Sequence, residues 1–495
     1  MSGFPRAAGP LLLGLMFAAL IGLYAVLACD ALRAPGIQPA FSDEIAYYLD
    51  VHSFCENDTL HGVLLLEERV APWGDFGSHG VAYTLLDGSI ARLIGLHPWA
   101  RVCTNLLWLT IALALIFGTA ELRVAQRLMI GSLILGYFLV PIVAFDYMQE
   151  SLQVLFTVCA GLLLRKVNSQ DNRLRWPVIF CGFVLIAALF RPTWLLFTVG
   201  LFPAASDMRA RVAVTVTLLV ALATAFAMSA FLTAPFPYGF LPQAMDTLRN
   251  HGWIAFLPIL LAHFIHNTAR YFTETGPAAS YYLGGKYLFV ALQLVLLMWG
   301  WRRNRPFAVA TALIGLTNLA ALLLLYDAFG WREQRFLAPC YYLAVIAIVS
   351  EEALRPAAVL ALLFSIAVLP EAVTFSRKLV AKRRTVAAQI AADGPEMKAF
   401  RSIASVVDRQ RLITILCSRA LFNDPFLPSL PVRSRSGVPI RYTFNLRGDE
   451  FTRYGRLKID YLLTTDARAP SGCMPLLMTS EFQLYEFPNQ PGALQ

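Results

Sequence analysis

The sequence predicts a mainly α protein: a polytopic membrane helix bundle of about eleven spans. Interfacial helices are expected in a long first outer loop, and a small α/β domain at the C-terminal end. Three observations predict it. The 495 residues are 57% hydrophobic and only 15% charged, against roughly 25% charged in soluble globular proteins. Several runs approach the ~20 apolar residues that a bilayer-spanning helix needs. After residue 372 the chain changes to short strand-like runs punctuated by Pro and Gly.

The elements follow in order. Arg6 precedes "GPLLLGLMFAALIGLYAVLA". This run exceeds the roughly 7–15-residue core of a cleaved signal. It is read as an uncleaved first span, although "VLACD" resembles a lipoprotein box at Cys29. The spans are placed at about 10–29, 102–119, 129–145, 148–164, 176–190, 193–206, 212–234, 284–300, 307–326, 336–350 and 356–372. The segment 253–266, "WIAFLPILLAHFIH", is interrupted by Pro258, His263 and His266 and is read as a re-entrant or interfacial helix. Basic residues support this choice, because short cytoplasmic loops collect Lys and Arg. Arg123, Arg127, Arg165, Lys166, Arg302, Arg303, Arg305 and Arg355 then all fall inside. One stretch objects: "SRKLVAKRR", 376–384, is basic yet falls outside.

Two units result: a transmembrane domain, residues 1–372, with outer loops 30–101 and 235–283, and an outer domain, residues 373–495. In the latter, "LITILCS", "IRYTFNL", "IDYLLTT" and "FQLYEFP" read as strands. This region holds 18 basic and 10 acidic residues, nearly all of the net charge of +9. Anionic lipid or an acidic glycan would suit such a surface, as would plain solvent; no nucleic-acid partner is expected. Of eight cysteines, none forms a CxxC, and only Cys417 and Cys473 share a region in which they could pair.

Candidate chemistry sits at the outer ends of the spans. Asp43 and Glu44 follow the first span in "PAFSDEIAYYLD". A carboxylate held at a wet interface can take a proton from a hydroxyl. Ser42 or Asp43 would equally serve as a helix N-cap. His79 precedes a second interfacial helix ending near Gly95. The tight turn "FDYMQESL" brings Asp146 and Glu150 to the same face as Asp43. Arg191 in "LFRPTW", and Arg332 and Arg335 in "GWREQRFLAP", are candidates for a lipid phosphate, since the guanidinium fork matches phosphate oxygens. Snorkelling or pairing with Glu333 is the plainer reading. His263, His266 and Arg270 are further binding candidates.

The order of these features resembles the GT-C glycosyltransferases, among them the protein O-mannosyltransferases and lipid A aminoarabinose transferases. The likeness covers most of the chain: first span, "SDE" opening a long outer loop, "LFRPTW" at a span end, "REQRFLAPCYYL" late in the bundle, and an α/β tail. It implies a bacterial inner-membrane enzyme with its site on the periplasmic face. Such enzymes transfer a sugar from a polyprenyl phosphate to a hydroxyl of a glycan, lipid or protein, inverting the anomeric carbon. The resemblance makes Asp43 the base, Glu44 its neighbour or orienter, and Arg332 or Arg335 the stabiliser of the leaving phosphate. A divalent cation is left open, since some relatives need one. The "KPP"-like signature of the aminoarabinose transferases is replaced by "GSHGVAY", so that donor is not implied.

Two other classes compete. An O-antigen ligase or polymerase places its large loop late. A lipid-linked-sugar transporter places polar residues mid-membrane and breaks helices there.

Overall fold

The apolar run after Arg6 forms helix α1 (Ala8–Leu32). Tyr24 and Leu27 pack into the bundle, while Leu11, Leu12 and Leu15 stay exposed, as the lipid face of a membrane helix requires. The computed structural model describes residues 8–66, 69–76, 81–97, 99–168, 175–204, 208–232, 240–274, 279–327, 329, 331–424, 426–445, 458–465, 473–479 and 482–487. The first loop holds both predicted interfacial helices, α2 (Ser42–Asn57) and α3 (Ala82–Ile94), with a short strand β1 (Leu64–Leu66) between them. Gly95 ends α3 at φ +86°, a conformation that residues bearing a Cβ seldom adopt. Neither Ser42 nor Asp43 is the N-cap of α2. Phe41 holds that position without a side-chain bond. Instead Glu44 reaches back to accept the Ala40 N–H at 3.0 Å.

The bundle continues through α4 (Ala100–Gly118), α5 (Val124–Leu135), α6 (Val140–Val143), α7 (Glu150–Val167) and α8 (Arg175–Phe190). A 3₁₀ segment, Pro192–Ala204, follows. Then come α9 (Met208–Leu232), α10 (Phe240–Thr273), α11 (Ala279–Arg302), α12 (Pro306–Leu325), the short α13 (Trp331–Gln334), α14 (Ala338–Ser350) and α15 (Arg355–Ala391). Six helices among the described residues are long and apolar enough to cross a bilayer, and shorter apolar helices accompany them. The chain is a multi-pass membrane helix bundle.

Several segments differ from the sequence reading, among them the predicted span 193–206, which is the 3₁₀ segment Pro192–Ala204. The predicted span 129–145 is divided into α5 and α6, with Gly136 and Pro141 at the division. The segment 253–266, read as a re-entrant or interfacial helix, is helical and longer than expected. It belongs to α10, which breaks at Gly252 (φ 74°, ψ −176°) and then runs on through Pro258, with Gln243–Thr273 long and apolar enough to span. Of the groups that suggested an interruption, His263 is satisfied locally: it stacks on Phe240 and lies 2.8 Å from Asn267 Nδ2.

Helix α15 passes residue 372 without a break and leads to α16 (Pro395–Val406). The four predicted strands form as β2 (Ile413–Cys417), β3 (Ile440–Phe444), β4 (Tyr461–Thr464) and β6 (Gln483–Glu486), joined by β5 (Met474–Met478). The sheet order is β1-β3-β2-β4-β6-β5. Its edge strand β1 comes from the first loop and pairs in parallel with β3, Leu64 opposite Tyr442 and Leu66 opposite Phe444. Ile45 and Leu49 of α2 share a core with Phe400, Ile415 and Tyr442. Helix α2 is thus wedged between the bundle and the sheet-bearing unit. Cys417 and Cys473 are both free thiols.

Candidate active site

Three helix ends converge beside the start of α2. Glu150 stands in the first turn of α7, where the helix dipole favours an acid. Arg191 is the last residue before Pro192, which cannot continue α8. Arg335 lies in the turn before α14, whose second residue is Pro339. Asp43 lies in the first turn of α2. The Arg335 guanidinium bridges the two acids, with Nη2 2.7 Å from Asp43 Oδ2 and Nε 3.6 Å from Glu150 Oε1. Arg191 Nη2 donates to the same Glu150 oxygen at 2.7 Å, and its Nη1 donates to the Arg335 carbonyl at 3.2 Å. Both guanidiniums lie over the Phe336 ring, 4.9 and 5.5 Å from its centroid.

Exposure separates the two acids. The Glu150 side chain is 5% exposed, that of Asp43 35%. Burial lowers the pKa of Arg335, but Glu150 and Asp43 outweigh it and hold the group above its ordinary value. Arg335 stays charged. Glu150 Oε2 and Arg335 Nε are buried without a hydrogen-bond partner. Such orphans cost about 1–3 kcal/mol each, and a ligand is one reason for a protein to keep them.

Glu44 points the other way. Its carboxylate is 1% exposed and paired with Arg383 of α15, whose Nε donates to Oε1 at 3.0 Å and to Oε2 at 3.2 Å. Asp146 lies in the turn between α6 and α7, where its Oδ1 accepts the Met148 N–H at 3.0 Å. Burial, then Glu150 and Glu44, push its carboxyl well above the usual range. Arg101 holds this turn, donating to the carbonyls of Asp146 and Met148 while paired with Asp87 at 2.5 Å. Tyr47, one turn after Asp43, accepts a hydrogen bond from Gln149 Nε2 at 3.1 Å and closes the site on that side. Beyond it a cleft opens between α2, α3 and α4, lined by Tyr83, Asp87, His97 and Arg101. Sequence reasoning missed Arg101 and Arg383; Arg383 lay hidden in the basic run at 376–384.

The other predicted residues lie elsewhere. Arg270 pairs with Glu274 at 2.9 Å. His263 lies 3.7 Å from Asp327, and Asn267 links it to the Tyr326 carbonyl at 2.8 Å. Tyr326 in turn packs on Phe336, with ring centroids 4.7 Å apart. This cluster therefore adjoins the arginines without joining their ion pairs. His266 is exposed on α10. His79 and the side chain of Arg332 lie outside the described residues. Among the described residues the donor set does not fit a divalent cation: the Arg335 guanidinium holds the space between Asp43 and Glu150. Among the described residues no three His, Cys, Asp or Glu side chains converge.

No protein-family model and no curated protein matches the sequence. Solved structures do. The oligosaccharyltransferase of Archaeoglobus fulgidus, solved in complex with Zn and sulfate, aligns at TM-score 0.52 and 11% identity, over 92% of this chain and 67% of that one. The same archaeal enzyme, AglB, in complex with an inhibitory peptide and a dolichol-phosphate, gives 0.51 and 10% over 94% and 70%. ArnT from Cupriavidus metallidurans, bound to undecaprenyl phosphate, covers 99% of this chain and 100% of its own at TM-score 0.45 and 13% identity. The first two, at TM-scores above 0.5, show the fold: this chain shares the fold of the archaeal oligosaccharyltransferase.

Proposed function

We propose that the protein is an inverting glycosyltransferase that takes a sugar from a polyprenyl phosphate and passes it to an acceptor hydroxyl. The site faces the periplasm of a bacterial inner membrane. The observation that carries this reading is the Arg335 bridge. One guanidinium touches both a half-exposed carboxylate and a buried one, at the ends of membrane helices. That is where a lipid-borne phosphate would stand.

Each residue then has a role. Arg335, with Arg191 beside it, receives the donor phosphate; fixed positive charge placed where an anion develops lowers the barrier. Glu150 holds both guanidiniums in place and stays buried. Before the donor arrives, Arg335 neutralises Asp43, and a carboxylate so paired is a weak base. As the phosphate takes up the charge of Arg335, which Glu150 keeps in place, Asp43 is neutralised less and accepts the acceptor's proton. The acceptor oxygen bonds to the anomeric carbon from the opposite side. The bond from that carbon to the phosphate oxygen breaks, and the electron pair leaves with the polyprenyl phosphate. Asp43 is the member of the pair that solvent and an acceptor can reach. Glu44, turned into the Arg383 contact, supports the motif without touching the substrate.

The test uses purified protein in nanodiscs with a panel of undecaprenyl-phosphate sugars and acceptor glycolipids. Release of undecaprenyl phosphate, with an inverted anomeric centre in the product, is expected. Transfer with retention of configuration, or release that needs a diphosphate donor, would rule the reading out.

A further inference from the structure

We infer that Arg383 is a positioning residue for the active site: through Glu44 it fixes the first turn of α2, and hence Asp43. The inference rests on the reading of Asp43 as the base. Arg383 and Glu44 are 339 residues apart in sequence, yet they are 2% and 1% exposed and joined through both carboxylate oxygens. A bidentate guanidinium–carboxylate contact fixes direction as well as distance. The Glu44 oxygen that accepts from Arg383 Nε at 3.2 Å also accepts the Ala40 N–H. The clamp therefore holds the backbone just before α2 as well as its first turn.

The same turn of α15 makes three further contacts with this stretch. The Arg383 carbonyl accepts the Gln38 N–H at 3.2 Å. Lys382 Nζ sits 4.4 Å from the Phe41 ring centroid. Arg384 Nη1 donates to Asp30 at 3.1 Å. One helix turn thus grips residues 30, 38, 41 and 44, directly around Asp43. The far end of α2 is tied to the segment before β3 by the Asn57 side chain, which donates to the Val432 carbonyl at 2.9 Å.

Two successive acids with opposite partners explain the arrangement. If the first turn of α2 rotated or slid, Glu44 would lose both oxygens' contacts. Asp43, one residue earlier, would leave Arg335. A misplacement of about 1 Å at a reacting group can cost on the order of 100-fold in rate. This also accounts for the basic run at 376–384: three of its charges contact the first loop rather than a cytoplasmic surface.

The experiment compares wild type, Arg383→Gln, Glu44→Gln/Arg383→Gln and Asp43→Asn in nanodiscs. Arg383→Gln leaves a buried carboxylate unpaired and can fail to fold. The double variant removes both charges at nearly constant volume, a change that folds tolerate. Amide exchange across 42–48 and turnover of undecaprenyl-phosphate sugars are both measured. The expectation for the double variant is exchange at 42–48 faster by about tenfold, with β2 amides unchanged. Its kcat should fall about 10- to 100-fold while KM for the donor stays within about twofold. Unchanged exchange at 42–48, or wild-type kcat, overturns the inference. Asp43→Asn keeps the two failures apart. It should abolish turnover with exchange unchanged; if it turns over like wild type, the base reading fails, and the exchange result still decides on the clamp.

Discussion

The two faces of α2 are built from the same chemistry and used in opposite ways. On the bundle face, Asp43 meets Arg335 in a contact one-third open to solvent, with orphaned polar atoms beside it. On the face toward α15, Glu44 meets Arg383 in a contact sealed from solvent. An ion pair that is partly open can exchange partners when a ligand arrives. A sealed, bidentate pair cannot, because separating it would leave two desolvated charges. Adjacent residues in one motif thus divide into a pair that a ligand can reach and a pair sealed from solvent.

The sharpest way to break this comparison is at Asp43. Asp43→Asn should lower turnover on the order of 10³-fold, the usual size of a lost general base. Undecaprenyl phosphate release measures it, and the unfolding midpoint should stay close to wild type. Arg335→Gln comes next, with an expected loss of about 10²–10³-fold. Its donor KM should rise as well, which separates it from Asp43→Asn. At Glu44 the effect should move to stability. Glu44→Ala strands the Arg383 charge and should cost about 3–5 kcal/mol, read as a lowered denaturation midpoint in detergent.

The smallest effect concerns the middle of α2. Asp50 is buried, and its Oδ1 accepts the Val63 N–H at 2.8 Å. Burial pushes its carboxyl up to about 7, the Val63 bond offsetting part of this. The folded chain holds that proton more tightly than the unfolded one. The group's contribution is therefore present below the ordinary carboxylate pKa and lost as pH rises through about 7. His61 nearby runs the other way: burial, then Arg441, lower its pKa to about 4. Comparing Asp50→Asn with wild type isolates the acid. The variant should gain thermal stability relative to wild type at pH 8 and not at pH 4; an equal difference at both would contradict the assignment.

Much of this was legible in the chain. Span ends rich in Arg, the "SDE" after the first span and the "FDYMQES" turn named Asp43, Glu150, Arg191 and Arg335, which the fold brings into one cluster of ion pairs. The C-terminal strands were legible from their apolar runs between Pro and Gly. The pairings were not. Asp43 and Arg335 are 292 residues apart, and no local pattern says which arginine meets which acid. Arg383 misled for a physical reason: a basic run after a span looks the same whether it faces cytoplasm or buried carboxylates. Strand β1 was missed because three leucines form a strand only through the neighbour that β3 provides.

The most direct test places Asp43→Asn and Glu44→Gln side by side in nanodiscs, measuring donor binding, turnover and unfolding midpoint for each. The account predicts that Asp43→Asn binds donor, loses turnover and keeps its midpoint, while Glu44→Gln lowers the midpoint. Turnover by Asp43→Asn equal to wild type would contradict the central claim that this carboxylate takes the acceptor's proton.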